Sequence, residues 1–260
     1  MSTAMVSPDL AQANIPALNV EHPWRVLSLQ FIGILAALVA LLAWVFNAEL
    51  SDTERTTLAS ATLWGYTVEH LQLTAVAALI VLVIAIPLGI VLTRPALRRL
   101  TGPVMAIANI GQAAPAVGLV VLLAFWLGFG FWASVGALVL YAILPVLTNT
   151  MVGLKQVDER LVEAGRGMGM SSMAVLFRVE LPLAVPVMLS GIRTALVLLV
   201  GTATLAAFIN GGGLGILIIT GVNLNLTVVL VVGSLLVALL ALLIDWLGRV
   251  VEQLARPKGL

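Results

Sequence analysis

From residue 100 to residue 154 the chain runs 55 residues without one charged side chain, and from 194 to 244 it does so for another 51. No water-facing fold tolerates that. Soluble domains draw about a quarter of their residues from Asp, Glu, Lys and Arg, whereas here 10% of 260 residues are charged and 61% are hydrophobic. Strands run ~3–10 residues, so apolar runs of this length are helices in a bilayer, where each backbone polar group must be satisfied within its own segment. A spanning helix needs ~20 such residues. The charge-free intervals then give residues 26–48 as a first span and 71–93 as a second, kinked or loosened at Pro87. Residues 100–154 hold two more, reversing at Gly128-Phe129-Gly130, where glycines permit a tight turn. The last two are separated by Asn210-Gly211-Gly212-Gly213 and Asn223-Leu224-Asn225, with the fifth starting near Leu183 and carrying Arg193 in its first half. The first run begins after 25 residues, lacks a compact basic segment before it, and is too long for a cleaved signal. The expected fold is all-α transmembrane, with about six spanning helices.

Lys and Arg resist translocation and therefore mark the inner side. With the N-terminus inside, Arg25, Arg94, Arg98, Arg99, Lys155, Arg160, Arg166, Arg178, Arg249, Arg256 and Lys258 all fall inside, and Arg55 alone outside. Arg193 lies within the fifth span and is expected to snorkel inward. Both termini are then cytoplasmic in a cell inner membrane. Trp24, Trp44, Trp64, Trp126, Trp132 and Trp246 each fall at a span end, which suits an indole half in lipid and half wet.

Several chemistries are excluded by what is missing. Without cysteine there is no disulfide, thiolate metal site or thiol nucleophile. His22 and His70 lie at opposite ends of different spans, and no metal site is expected. Asp245 reads as an interfacial ion partner. A formal charge of +1 supplies no field for nucleic acid. The two lysines, Lys155 and Lys258, do not follow a glycine, so no phosphate-cradling Gly-x-x-x-x-Gly-Lys-Ser/Thr exists. No catalytic residue is expected, and any ATP and Mg belong to another polypeptide.

Residues 155–182 form a 28-residue inner segment, whereas a mere helix connection takes ~2–8. Asp158 and Glu159 suit a helix start, glycines at 165, 167 and 169 break or tighten it, and Ser171 can cap a second short helix running towards Leu181-Pro182. Leu161, Met168, Met170 and Met173 are available as adaptable apolar contacts. A docking element and a loop lying on the membrane surface both fit this pattern.

Within this segment Glu163-Ala164-Gly165, Gly169 and Val179-Glu180-Leu181-Pro182 resemble the Glu-Ala-Ala loop of ATP-binding-cassette importer permeases, departing once, with Gly165 for the second alanine. The resemblance implies a MetI-like permease fold whose cytoplasmic coupling helix, around residues 163–170, sits in a groove of an ATPase dimer. Further stretches resemble osmoprotectant permeases for glycine betaine, choline, carnitine or proline betaine. These are Ala108-Asn109-Ile110-Gly111-Gln112 with Pro115, Tyr141 to Pro145 with Asn149-Thr150, Gly191 to Ala195, Gly201 to Leu205 and Gly211 to Gly215. That likeness implies a second permease copy, identical or a sibling, and a separate outer solute-binding protein. The coupling set is Glu163, Ala164, Gly165, Gly167, Met168, Gly169, Met170, Leu181 and Pro182.

Polar or helix-breaking residues within spans must find partners or line a wet passage. Asn109, Gln112, Pro115, Asn149, Thr202, Thr204 and Asn210 are the candidates, with helix–helix hydrogen bonding as the competing reading. The expected division is residues 1–60 as N-terminal segment, first span and outer loop, 61–250 as permease domain, and 251–260 as a tail. A permease for amino acids or sulfonates, an ion-driven secondary transporter and an intramembrane enzyme stay open as alternatives; the spans offer no convincing coupling carboxylate or nucleophile–base pair.

Overall fold

The computed structural model describes residues 23–255; His22, Arg256, Lys258 and the end of the expected tail lie outside them. Eleven α-helices follow in order: α1 (Pro23–Asn47), α2 (Asp52–Thr57), α3 (Ser60–Thr93), α4 (Thr101–Ala113), α5 (Ala116–Leu127), α6 (Phe131–Lys155), α7 (Glu159–Gly167), α8 (Ser172–Val175), α9 (Leu181–Thr202), α10 (Gly215–Asn223) and α11 (Thr227–Ala255). Five continuous helical stretches are long and apolar enough to cross a bilayer, and a bent pair makes the sixth. The count matches the sequence; two span starts and the shape of a third span do not.

The second span starts at Ser60, not at residue 71. Glu69 and His70 do not end the helix because each finds a partner: Gly213 N–H donates to the Glu69 carboxylate at 2.9 Å, and His70 Nε2 lies 3.0 Å from the Val200 carbonyl. The third span is not straight. Residues 98–113 and 116–127 meet at 103°, because Pro115 drives Ala114 into extended backbone (φ −62°, ψ 143°) and ends α4. The fifth span starts well before Leu183, as one apolar helical stretch from Ser172 to Ile209. Pro182 explains how it passes the proline: the preceding turn, Leu176–Glu180, is π-helical, with Leu181 N–H bonded to the Leu176 carbonyl. The wider turn spares Arg178 the clash a proline ring makes with the carbonyl four residues back.

Gly128 and Gly130 do make the reversal between the third and fourth spans, at φ +86° and +118°. Beyond α9 the chain tightens into a 3-10 segment, Ala203–Ile209, and turns at Asn210 (φ +60°), Gly212 and Gly213. The loop expected before the last span contains α10.

The core sits between α3, α6 and α9, where Leu73, Ala77, Val81, Ala142, Val146, Leu147 and Leu199 are buried. Lipid offers no hydrophobic drive between helices, so close backbone approach supplies the attraction. A Cβ on Gly153 would meet the Ala184 carbonyl at 2.9 Å, and one on Gly89 would meet Thr150 at 2.8 Å.

Helix α1 lies outside this core against α11. Gln30 donates to Asp245 at 3.3 Å, and Trp246 Nε1 donates to the Leu27 carbonyl at 2.8 Å while its ring lies 4.8 Å from that of Phe31. Trp246 is thus an interhelical pin and not a free interfacial indole; the other five tryptophans are exposed. Arg193 does not snorkel alone either. It pairs with Asp245 at 3.2 Å and Glu252 at 3.5 Å, and Asp245 also accepts from Arg249.

Candidate coupling site

Helix α7 is built to stand by itself outside the apolar layer. The Asp158 carboxylate accepts the Arg160 N–H at 2.9 Å, and Glu159 and Arg166 occupy the ends where a helix dipole favours each sign. Its C-terminus closes through two bonds, Gly169 N–H to the Arg166 carbonyl (2.9 Å) and Met170 N–H to the Gly165 carbonyl (3.1 Å). That pairing is a Schellman cap, and it requires left-handed backbone at the residue after the cap. Gly169 supplies it at φ +81°.

Gly165 is buried beneath the turn, and a Cβ there would touch Val175 at 3.4 Å and Met170 at 3.6 Å. An alanine therefore fits with little movement, so the one departure from the resembled motif changes the packing slightly. Flanking it on the helix surface, Leu161, Ala164 and Met168 are exposed, the last by 72%. Their spacing of three and four residues makes one apolar stripe. Glu163 is exposed on a different face of the same helix, Gly167 and Pro182 are exposed too, and Leu181 and Met170 are half-buried.

The stripe is tied to the spans through Glu180. Ser171 Oγ caps the next turn by accepting the Ala174 N–H at 3.3 Å, and five π-helical residues later Glu180 receives both terminal nitrogens of Arg94, Nη1 to Oε1 at 3.1 Å and Nη2 to Oε2. This two-pronged pair joins the C-terminal end of α3 to the start of α9. Below it Leu154, Leu176, Ala184 and Met188 form a small buried cluster. Sequence reasoning passed over Glu180 as the variable position before Leu181-Pro182. A signal existed: opposite charges stand at the two span ends that the core brings side by side.

The proposed passage residues do not converge. Asn109 is exposed on α4 and donates to the Met105 carbonyl at 2.7 Å, with half-buried Gln112 on the same helix and Pro115 at its break. Asn149 lies in α6 against Gly191 of α9 and donates to the Pro145 carbonyl at 2.8 Å. Thr202 donates to the Leu198 carbonyl within α9, and Thr204, in the 3-10 segment, donates to the Gly201 carbonyl of α9, both at 2.7 Å. Thr204 also lines an apolar cavity of about 160 Å³ with Phe208, Ile218 and Asn223. Asn210 is exposed at the turn after the 3-10 segment, facing Gly130. Sequence reasoning missed the group beside it. Glu69 and His70 hold Gly213 and Val200, which bracket the whole irregular stretch between α9 and α10. Side chains on Gly212 or Gly213 would meet Glu69 Oε2 at 2.7 Å and His70 Nδ1 at 3.0 Å, so this approach requires glycine as well as positive φ.

Residues 85–257 match the family described as binding-protein-dependent transport system inner membrane component. The chain is 40% identical to the glycine betaine/carnitine/choline transport system permease protein OpuCB of Bacillus subtilis, over 74% of this chain and 88% of that one. It is 37% identical to the osmoprotectant import permease protein OsmW of Salmonella typhimurium, over 75% and 92%. Among solved structures, an inward-facing MetNI methionine ABC transporter matches with a TM-score of 0.67 at 25% identity, covering 77% of this chain and all of that one.

Proposed function

The chain belongs to the family of binding-protein-dependent transport inner membrane components, and from that premise we propose that it is the permease subunit of an ATP-binding-cassette importer for a compatible solute such as glycine betaine, choline, carnitine or proline betaine. The 40% identical relative carries glycine betaine, carnitine and choline in its name and the 37% identical one is named for osmoprotectant import, which favours a quaternary ammonium over the amino acid of the more distant structural neighbour. Residues 61–250 form the permease domain. The basic residues on one side support an inner, cytoplasmic membrane with both termini inside.

The single observation that carries the coupling mechanism is the exposed apolar stripe Leu161, Ala164 and Met168 on α7, whose Glu163 is exposed as well. A short helix offering such a stripe suits a groove on a partner. An ATPase dimer, holding ATP and Mg, grips α7 from below. When it closes, α7 moves with it, and the Schellman turn at Gly169 passes the displacement to Ser171 and the π-helical turn. Glu180 then pulls Arg94, so α9 and α3 shift together. A second permease copy completes the passage, with Asn109, Gln112, Asn149, Thr202, Thr204 and Asn210 as its polar groups and Pro115 shaping α4. An outer solute-binding protein delivers the solute.

Co-purification tests this assignment: an ATPase subunit retained by the wild-type chain and lost from Met168→Glu supports it, and retention by neither or by both contradicts it.

A further inference from the structure

At the inner end of α3 and α6 lies an open cavity of about 570 Å³. Its floor is apolar, with Leu92 and Leu154 both buried, and one wall is the first turn of α7, through Glu159 and Val162. Three cations stand around it: Arg94, Arg98 and Lys155. Arg94 is taken up by Glu180. No carboxylate among the described residues comes within 4.0 Å of Arg98 or Lys155, and both residues are exposed.

We propose that this cavity binds the headgroup of an anionic phospholipid, with Arg98 and Lys155 on the phosphate and the Leu92–Leu154 floor under the glycerol and first methylenes. Two features select a lipid over a free anion. The cavity is made by the ends of two spanning helices, so it lies at headgroup height, where lipid phosphate is abundant. The adjoining turn also carries Leu97 and Leu100 with 39% and 50% of their surface exposed, an apolar edge that suits contact with acyl chains. Basic pockets between spanning helices recognise headgroups in this way, with interfacial attraction for each Lys or Arg. Because α7 forms a wall, an occupied cavity stiffens the seat of the coupling helix. The inference rests on the proposed function only for that consequence; binding itself is independent of any ATPase or solute.

The full chain, purified in detergent, is to be examined by native mass spectrometry with dioleoyl phosphatidylglycerol, dioleoyl phosphatidylcholine and glycerol 3-phosphate. The wild type is expected to retain phosphatidylglycerol over phosphatidylcholine. The double change Arg98→Gln with Lys155→Gln should weaken retention about thirtyfold, and each single change about fivefold, the singles carrying the test should the double variant lose its fold. Arg99→Gln, next to the cavity but outside its lining, should leave retention unchanged. The proposal is overturned by retention that survives both changes, by an equal loss in Arg99→Gln, which would mean diffuse surface charge, or by displacement with equimolar glycerol 3-phosphate, which would mean a free-anion site.

Discussion

The guanidinium of Arg94, the first residue past α3, clasps the carboxylate of Glu180, the last residue before α9, through both of its terminal nitrogens. Glu180 is 8% exposed and Arg94 35%. Removing one partner strands a buried charge, and this costs up to about 3–5 kcal/mol where the pair is fully buried and less where one side is wet. Glu180→Gln is therefore expected to lower thermal stability by about 1–3 kcal/mol and to impair uptake further. The exchanged pair Arg94→Glu with Glu180→Arg should recover part of both. Calorimetry and vesicle uptake check this; a swap no better than either single change would deny the link.

Gly165 and Gly169 answer differently to one methyl group. At Gly165 an added Cβ makes ordinary contacts at 3.4 Å and beyond, so Gly165→Ala should keep near-normal uptake. At Gly169 the backbone is left-handed, which costs a non-glycine residue about 1 kcal/mol and loosens the cap. Gly169→Val should cut uptake severely while hydrogen exchange across residues 159–170 quickens.

Glu163 is exposed on α7 and has no ion pair among the described residues. Glu163→Arg should leave expression, membrane insertion and melting temperature as in the wild type. Uptake of radiolabelled glycine betaine should disappear, since a reversed charge in a docked interface costs several kcal/mol. Normal uptake by this variant would remove Glu163 from the interface.

Glu69 ties the glycine turn to α3, so its loss should free the outer end of the segment between α9 and α10. The chain contains no cysteine, which makes an introduced Asn210→Cys a clean reporter. In a Glu69→Ala background that thiol should react about ten- to a hundredfold faster with a membrane-impermeant maleimide, matching the ~1.5–3 kcal/mol of a hydrogen bond to a charged acceptor. An unchanged rate would show that other contacts hold the turn.

Much of the membrane fold was legible because charge in lipid is costly: a sequence short of it can place what it has only at span ends or in pairs. That rule found six crossings and the reversal at Gly128 and Gly130. It misjudged the start of α3, since Glu69 and His70 are satisfied by Gly213 and Val200, partners more than a hundred residues away in sequence. Charge spacing alone cannot report such a partner. The bend at Pro115 was carried by one residue whose effect depends on whether a helix continues past it, and at Pro87 and Pro145 it does. The inner segment was legible as a helix, a glycine turn and a Ser171 cap because each is local. The Arg94–Glu180 clasp was not, because it needs the packing of α3 against α9.

The central claim is that ATP hydrolysis on a partner drives solute through this chain by way of α7. The most direct measurement is uptake of radiolabelled glycine betaine into proteoliposomes that hold this chain with its co-purified ATPase, with the solute-binding protein outside. ATP enclosed in the lumen should support accumulation, and a non-hydrolysable analogue or dissipated ion gradients should respectively abolish it and leave it intact. Accumulation that persists without ATP and collapses with a protonophore or sodium ionophore would contradict the account and mark the chain as an ion-driven carrier.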